Sequence, residues 1–209
     1  MNSADVLKEI AAQTAACTKC QLQYSRKLAV PGEGPSNAKI LFIGEGPGFH
    51  ENEQGRPFVG PAGQYLEELL ASINLRREQV YITNVVKCRP PGNRDPQTEE
   101  LAACSDYLER QILAINPKVI VTLGRYSMAR FLPNAKISEI HGQAVRVHGK
   151  LIVPMYHPAA ALHQPSLRST VETDFKKLPE WMTKAGTIPE IENEPVSPQS
   201  ENHEQLSLF

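Results

Sequence analysis

Apolar positions along this chain recur with two periods, and the places where one gives way to the other mark its elements. Residues 4–16, ADVLKEIAAQTAA, read as a helix that delivers the chain to Cys17. AKILFIGEG (38–46) is a short apolar strand running into glycines. GPAGQYLEELLASIN (60–74) has helical spacing, with Leu66, Leu69, Leu70 and Ile73 on one face. QVYITNVV (79–86) is a second strand, followed by the loop KCRPPGNRDP (87–96). There Asp95 reads as an N-cap, with Pro96 opening the helix QTEELAACSDYLERQILAI (97–115). KVIVTLG (118–124) is a third strand, RYSMARFL (125–132) a short helix, and KLIVPMYHP (150–158) a fourth strand that delivers His157. Strands alternating with helices imply a three-layer α/β/α sandwich around a mainly parallel, four-stranded sheet. Ligands of such sheets bind beyond the carboxyl ends of the strands. GEGPG (44–48), Asn84 and His157 all follow strand ends, so they should converge on one pocket. No internal repeat and no second domain is visible.

Composition sharpens this picture. At 209 residues and 41% apolar content the chain can fill one core, and one compact domain of about 180 residues is the natural size. No apolar run approaches the roughly 18 to 20 residues of a membrane span, and the N-terminus lacks a signal-peptide pattern. A cytoplasmic protein, working as a monomer, is expected. The end of the chain differs. GTIPEIENEPVSPQSENHEQ (186–205) carries three prolines and five glutamates, and such a segment cannot bury enough surface to offset its ordering entropy. The expected organisation is a folded domain over 1–180 and a disordered acidic tail over 181–209. One lysine and five glutamates give the tail −4 of a whole-chain charge of −1, which leaves the body at +3. A mildly positive body permits nucleic-acid binding without demanding it.

The four cysteines are the first sharp chemical signal. Cys17 and Cys20 form a C-x2-C pair, while Cys88 and Cys104 stand apart with fifteen residues between them. In a reducing compartment four cysteines rarely mean disulfides. A four-thiolate metal site is therefore preferred to four unrelated buried thiols. One pair plus two scattered ligands suits zinc or an iron–sulfur cube, and spacing leaves both open.

GEGPG by itself is weak, because it lacks both the Lys-Ser/Thr of a P-loop and the spacing of a dinucleotide fingerprint. Its neighbours change the weighing. GEGPGFHENEQGRPFVGPAG (44–63), YITNVVKCRP (81–90), MYHPAAAL (155–162) and the four cysteines together resemble the family-4 uracil-DNA glycosylases, over residues 15–178 and in order. The resemblance implies a uracil-DNA glycosylase-like fold and a structural [4Fe-4S] cluster on Cys17, Cys20, Cys88 and Cys104. It further implies a base-excision repair enzyme that flips uracil out of DNA and hydrolyses its N-glycosidic bond, leaving an abasic site.

Such a reaction separates an oxocarbenium-like sugar from a uracil anion, so catalysis means stabilising both charges. The resemblance makes His157 the donor to uracil O2, a task suited to a neutral imidazole whose other nitrogen is held by the backbone. Asn84 would read the base, its amide nitrogen donating to O4 and its oxygen accepting from N3–H. Cytosine presents the reverse pattern. Asparagine is disfavoured in a β-branched run, which favours this role over a turn. Phe58, in a loop rich in glycine and proline, would be the stacking platform. Glu51 would oppose the methyl group of thymine. Glu45, Gly46, Pro47 and Gly48 would line the uracil, with Glu45 orienting a water or steadying the sugar cation. In the related family-1 enzymes an aspartate stands where this chain has Gly46, so no carboxylate there activates the water. Phe49 and His50 occupy places often acidic in the family. Lys87, Arg89 and Arg94 would meet phosphates, and Leu162 would wedge into the gap left by the flipped base. A relative of the family links itself to DNA through a histidine in an inserted basic loop. KCRPPGNRDP has neither insertion nor histidine, so turnover is expected.

The chain closes with EQLSLF. Gln205, Leu206, Ser207, Leu208 and Phe209 resemble the pentapeptide by which bacterial repair and replication proteins dock on the DNA sliding clamp. A flexible tail of about 25 residues would let the domain range about 25–30 Å from such a ring. Two other readings compete. A non-catalytic cysteine–metal module that recognises uracil or damaged DNA draws support from Gly46. A flavodoxin-like nucleotide-binding domain accounts for the glycines but not for Asn84, His157 or the cysteines.

Overall fold

The computed structural model describes residues 2–184 and 186–190. Helix α1 (Ser3–Ala15) starts at Asn2, whose side chain accepts from the Asp5 amide. Then follow β1 (Ile40–Gly44), α2 (Phe49–Gln54), α3 (Pro61–Ser72), β2 (Tyr81–Asn84) and α4 (Thr98–Ile115). The second half comprises β3 (Val119–Leu123), α5 (Arg125–Ala129), α6 (Ile137–Ile140), β4 (Val145–Val147), β5 (Lys150–Met155), α7 (Pro158–His163) and α8 (Arg168–Lys184).

The sheet has five strands in the order β2-β1-β3-β5-β4. The first four are parallel, and β4 runs antiparallel to β5 along the edge. The four-strand expectation thus missed β4. Val145 and Val147 flank Arg146, a three-residue alternation too short to stand out, and the link to β5 is two residues long. Those residues, His148 and Gly149, both have positive φ (47° and 72°), as a tight primed hairpin turn requires.

The unbroken apolar run of β1 follows from its position. In β1, Ile40 and Phe42 face a core shared with Leu66, Leu69 and Leu70 of α3 and with Phe175 and Leu178 of α8. Leu41 and Ile43 face the other side, against Leu108 and Ile115 of α4 and Met128 of α5. With both faces covered, alternation disappears and a continuous apolar run remains. A third, smaller core joins Ile10 of α1 to Tyr107 of α4 around the cysteines.

Two boundaries moved. Asp95 does not cap α4, which begins at Thr98 with Gln97 as its cap. The Glu100 carboxylate accepts from the Gln97 amide at 2.9 Å and so sets the first turn two residues later. Helix α8 crosses position 180, where the tail was expected to begin. Trp181 packs against the core and donates to the Gly142 carbonyl at 3.1 Å. Among the described residues, no helix is long and apolar enough to cross a membrane.

Candidate active site

Sheet register carries the site. Gly44, at the end of β1, pairs with Asn84 at the end of β2, and β5 ends two residues before His157. One open cleft lies beyond these strand ends. Glu45, Gly46, Pro47, Gly48, Glu51, Phe58, Asn84, His157 and Leu162 all line it. The pocket expected from the motifs is thereby assembled.

At its floor, Asn84 is 1% exposed, and its Oδ1 is buried with no hydrogen-bond partner. A methyl group on Gly44 would come 2.4 Å from that oxygen and 2.8 Å from the Phe58 ring. Only glycine lets the amide and the ring approach one another so closely. The Phe58 ring in turn stacks on the His157 imidazole, with 5.4 Å between centroids and 26° between planes.

His157 caps the short helix α7. The Ala159 amide donates to its Nδ1 at 3.1 Å, which puts the ring proton of the neutral form on Nε2. Burial lowers its pKa from 6.5 to about 4, and the Glu51 charge opposes this only in part. The imidazole is therefore neutral at ordinary pH, with an N–H available to a ligand.

Burial likewise raises the Glu45 carboxyl above its usual range, against a hydrogen bond from the Tyr126 amide; Asp95 pushes it further up. That amide lies 3.2 Å from Glu45 Oε1 at the start of α5, and Arg125 pairs with Asp95 beside it. Asp95, Arg125 and Tyr126 are site neighbours that the sequence reading missed. Asp95 reads locally as a helix cap, and nothing nearby in the sequence links it to position 125.

Glu51 acts first on the protein itself. Its oxygens accept from the amides of Gly48 at 3.1 Å, Val59 at 2.8 Å and Gly60 at 2.9 Å, joining the GEGPG loop to the Phe58 loop. Phe58 is held at a positive φ of 52°. Arg77 donates to the carbonyls of both Pro57 and Phe58, a clamp without any sequence signature. At Gly46 a Cβ would come 2.9 Å from Val86 Cγ2. Any side chain there, a carboxylate included, requires Val86 to move.

Lys87 does not face DNA. It is 1% exposed, with Nζ donating to Thr83 Oγ1 at 2.7 Å, the Asn84 carbonyl at 2.8 Å and Gln111 Oε1 at 2.7 Å. A buried ammonium requires such acceptors. Placed three and four residues beyond Asn84 and Thr83, the side chain folds back under β2 and braces Asn84 from beneath. Arg94 forks onto Glu100 at 2.9 and 2.6 Å while still lining the cleft. Arg89 remains outside, its guanidinium over the Phe49 ring.

All four cysteines carry free thiols and line a second, narrow space between α1, the loop after β2 and α4. Leu22, Val86 and Tyr107 complete its walls. The Lys87 amide donates to Cys104 Sγ at 3.3 Å, and Arg26 donates to Cys88 Sγ at 3.4 Å. Among the described residues, no group of three or more histidine, cysteine or acidic side chains is placed to hold a metal ion. Gln205, Leu206, Ser207, Leu208 and Phe209 lie outside the described residues.

Comparison with known proteins agrees with this geometry. Residues 31–182 match the family model of the Uracil DNA glycosylase superfamily. The Type-4 uracil-DNA glycosylase of Archaeoglobus fulgidus is 50% identical over 188 residues, covering 85% of this chain and 94% of the relative. That of Sulfurisphaera tokodaii is 48% identical over 188 residues, covering 84% of each. In Thermotoga maritima the enzyme of the same type is 43% identical over 187 residues, covering 87% and 97%.

Proposed function

The chain belongs to the family-4 uracil-DNA glycosylases of the uracil DNA glycosylase superfamily, and from that premise we propose how its cleft excises uracil from DNA. The carrying observation is the unpartnered Asn84 oxygen, buried beside the Phe58–His157 stack. A buried acceptor left unpaired costs about 1–3 kcal/mol, and the N3–H of uracil supplies the missing donor. The Asn84 amide nitrogen then faces O4, Phe58 takes the ring face, and His157 Nε2–H meets O2. Cytosine would set acceptor against acceptor at position 3 and is rejected for that reason.

As the glycosidic bond breaks, its electron pair moves onto uracil and charge gathers at O2, where the neutral imidazole donates. The sugar becomes cationic. Glu45 in its anionic form steadies that cation and orients the water that adds to C1′, whose surplus proton passes to solvent or to the carboxylate. Glu51 sets the distance between the two loops that enclose the base, and Leu162 fills the vacated stack.

The four thiols line one space, and soft thiolate donors suit a [4Fe-4S] cluster, the group that the family resemblance implies. Cys17, Cys20, Cys88 and Cys104 would hold the cluster, which when bound ties three chain segments together. The terminal pentapeptide 205–209 docks the enzyme on a bacterial sliding clamp. Deleting it should abolish retention on immobilised clamp and leave excision from a short oligonucleotide unchanged.

The deciding experiment is incubation with a uracil-containing oligonucleotide, then alkaline cleavage at abasic sites. Wild type should cut at uracil and leave cytosine intact. Asn84→Asp should lose uracil excision and gain some activity on cytosine, since a protonated carboxyl accepts from the cytosine amine and donates to N3. Unchanged uracil excision by Asn84→Asp would remove this residue from the reading pocket.

A further inference from the structure

Phe49, the first residue of α2, leaves the GEGPG loop and stands on the cleft wall with 53% of its surface exposed. Large exposed apolar residues among the described ones also include Tyr24, Leu28 and Leu113, but of the whole set only Phe49 and Leu162 line the cleft. The ring is held rather than loose. Arg89 places its guanidinium carbon 5.4 Å from the ring centroid, and His50 meets it edge-on at 5.5 Å and 83°. Arg89 is itself fixed, its Nε donating to Asn93 Oδ1 at 2.7 Å in a turn where Gly92 and Asn93 both have positive φ.

An aromatic face fixed by a cation at the mouth of a nucleic-acid cleft has the chemistry of a base-stacking site. We infer that Phe49, backed by Arg89, stacks a nucleobase flanking the uracil in single-stranded DNA. Phe58 cannot serve that base, because it is buried at the cleft floor. Arg89 adds a positive charge where the phosphodiester of the flanking nucleotide must pass. In a duplex the flanking base keeps its own stacking partners, whereas in a single strand it is free to use the ring.

This inference rests on the uracil-excision reading, and its test separates the two. Wild type and Phe49→Ala are assayed on single-stranded uracil oligonucleotides in which an abasic spacer replaces, in turn, each base within two positions on either side of the uracil. One spacer position should raise the wild-type KM on the order of tenfold. Phe49→Ala should show a similar rise on the intact oligonucleotide and no further rise with that spacer, with kcat little changed in each case. Phe49→Tyr should restore both the KM and the spacer sensitivity. The inference is overturned if Phe49→Ala leaves KM within about twofold of wild type, or if its sensitivity to every spacer matches that of wild type. Failure of wild type to release uracil from the intact oligonucleotide would instead sink the excision reading.

Discussion

In the proposed mechanism the burial that keeps His157 neutral bears on both the rate and the acid sensitivity of this enzyme. Removing one transition-state donor lowers a rate by about 10²- to 10³-fold, which is the loss expected for His157→Ala. Its protonation also fixes a sign. The unfolded chain takes up this proton near the usual 6.5, while the folded protein does so only near 4. Between those values the unfolded state binds more protons, so stability is complete above the window and is lost as pH falls through it. Wild type should therefore lose more thermal stability than His157→Asn when the pH drops from about 7 to about 5. Parallel melting-temperature curves for the two proteins would mean that His157 is not buried in its neutral form. Glu45 bears on the rate under the same proposal. Its carboxyl is raised mainly by burial, so the anion that the proposed mechanism sets beside the sugar cation is lost above the ordinary carboxylate range as the solution is acidified.

Among the elements, the loop between α2 and α3 shows how a stacking platform is built. Phe58 adopts a left-handed backbone that a bulky residue rarely takes unaided. Two clamps hold it: Glu51 on the amides that follow, and Arg77 on the carbonyls of Pro57 and Phe58. Gly63 completes the arrangement, since a methyl group there would stand 1.9 Å from the Phe58 oxygen. Arg77→Met leaves both carbonyls without their donor, and the expected cost is about 1–3 kcal/mol of stability. Because the platform is proposed to bind the base and moves no proton, KM should rise more than kcat falls, and added guanidinium ion at low concentration should partly restore KM. A variant with wild-type KM would show that the loop holds its shape without Arg77.

At the scale of the whole molecule, the four cysteines join segments far apart in sequence. Cys17 follows α1, Cys88 follows β2 and Cys104 lies inside α4, and the Lys87 amide that bonds to Cys104 belongs to the residue whose side chain braces Asn84. Losing one thiolate should therefore loosen α1 and the loop beneath the reading pocket before it touches the central sheet. Cys104→Ser is expected to purify colourless and without iron, with faster amide hydrogen exchange in residues 3–30 and unchanged protection in β1 and β3. Stoichiometric zinc and no iron in anaerobically purified wild type would refute the cluster.

Periodicity and motif spacing determined the parallel strands, the helices α1, α3 and α4, and the convergence of Gly44, Asn84 and His157, while the family was legible only as a resemblance of the motifs. These follow from local chemistry: a strand buried on both faces must be apolar, and a site at strand ends must place its residues just past them. Tertiary structure alone decided the rest. Lys87 reads as an exposed loop cation until Thr83, the Asn84 carbonyl and Gln111 are seen to surround its ammonium group. Asp95 reads as a helix cap until Glu100 takes that task and Arg125 claims the aspartate. Strand β4 has three residues and exists through its pairing with β5. In each case the deciding partner lies elsewhere in the chain or competes for the same backbone groups, and one-dimensional pattern carries no record of which acceptor a charged group meets when the chain closes on itself.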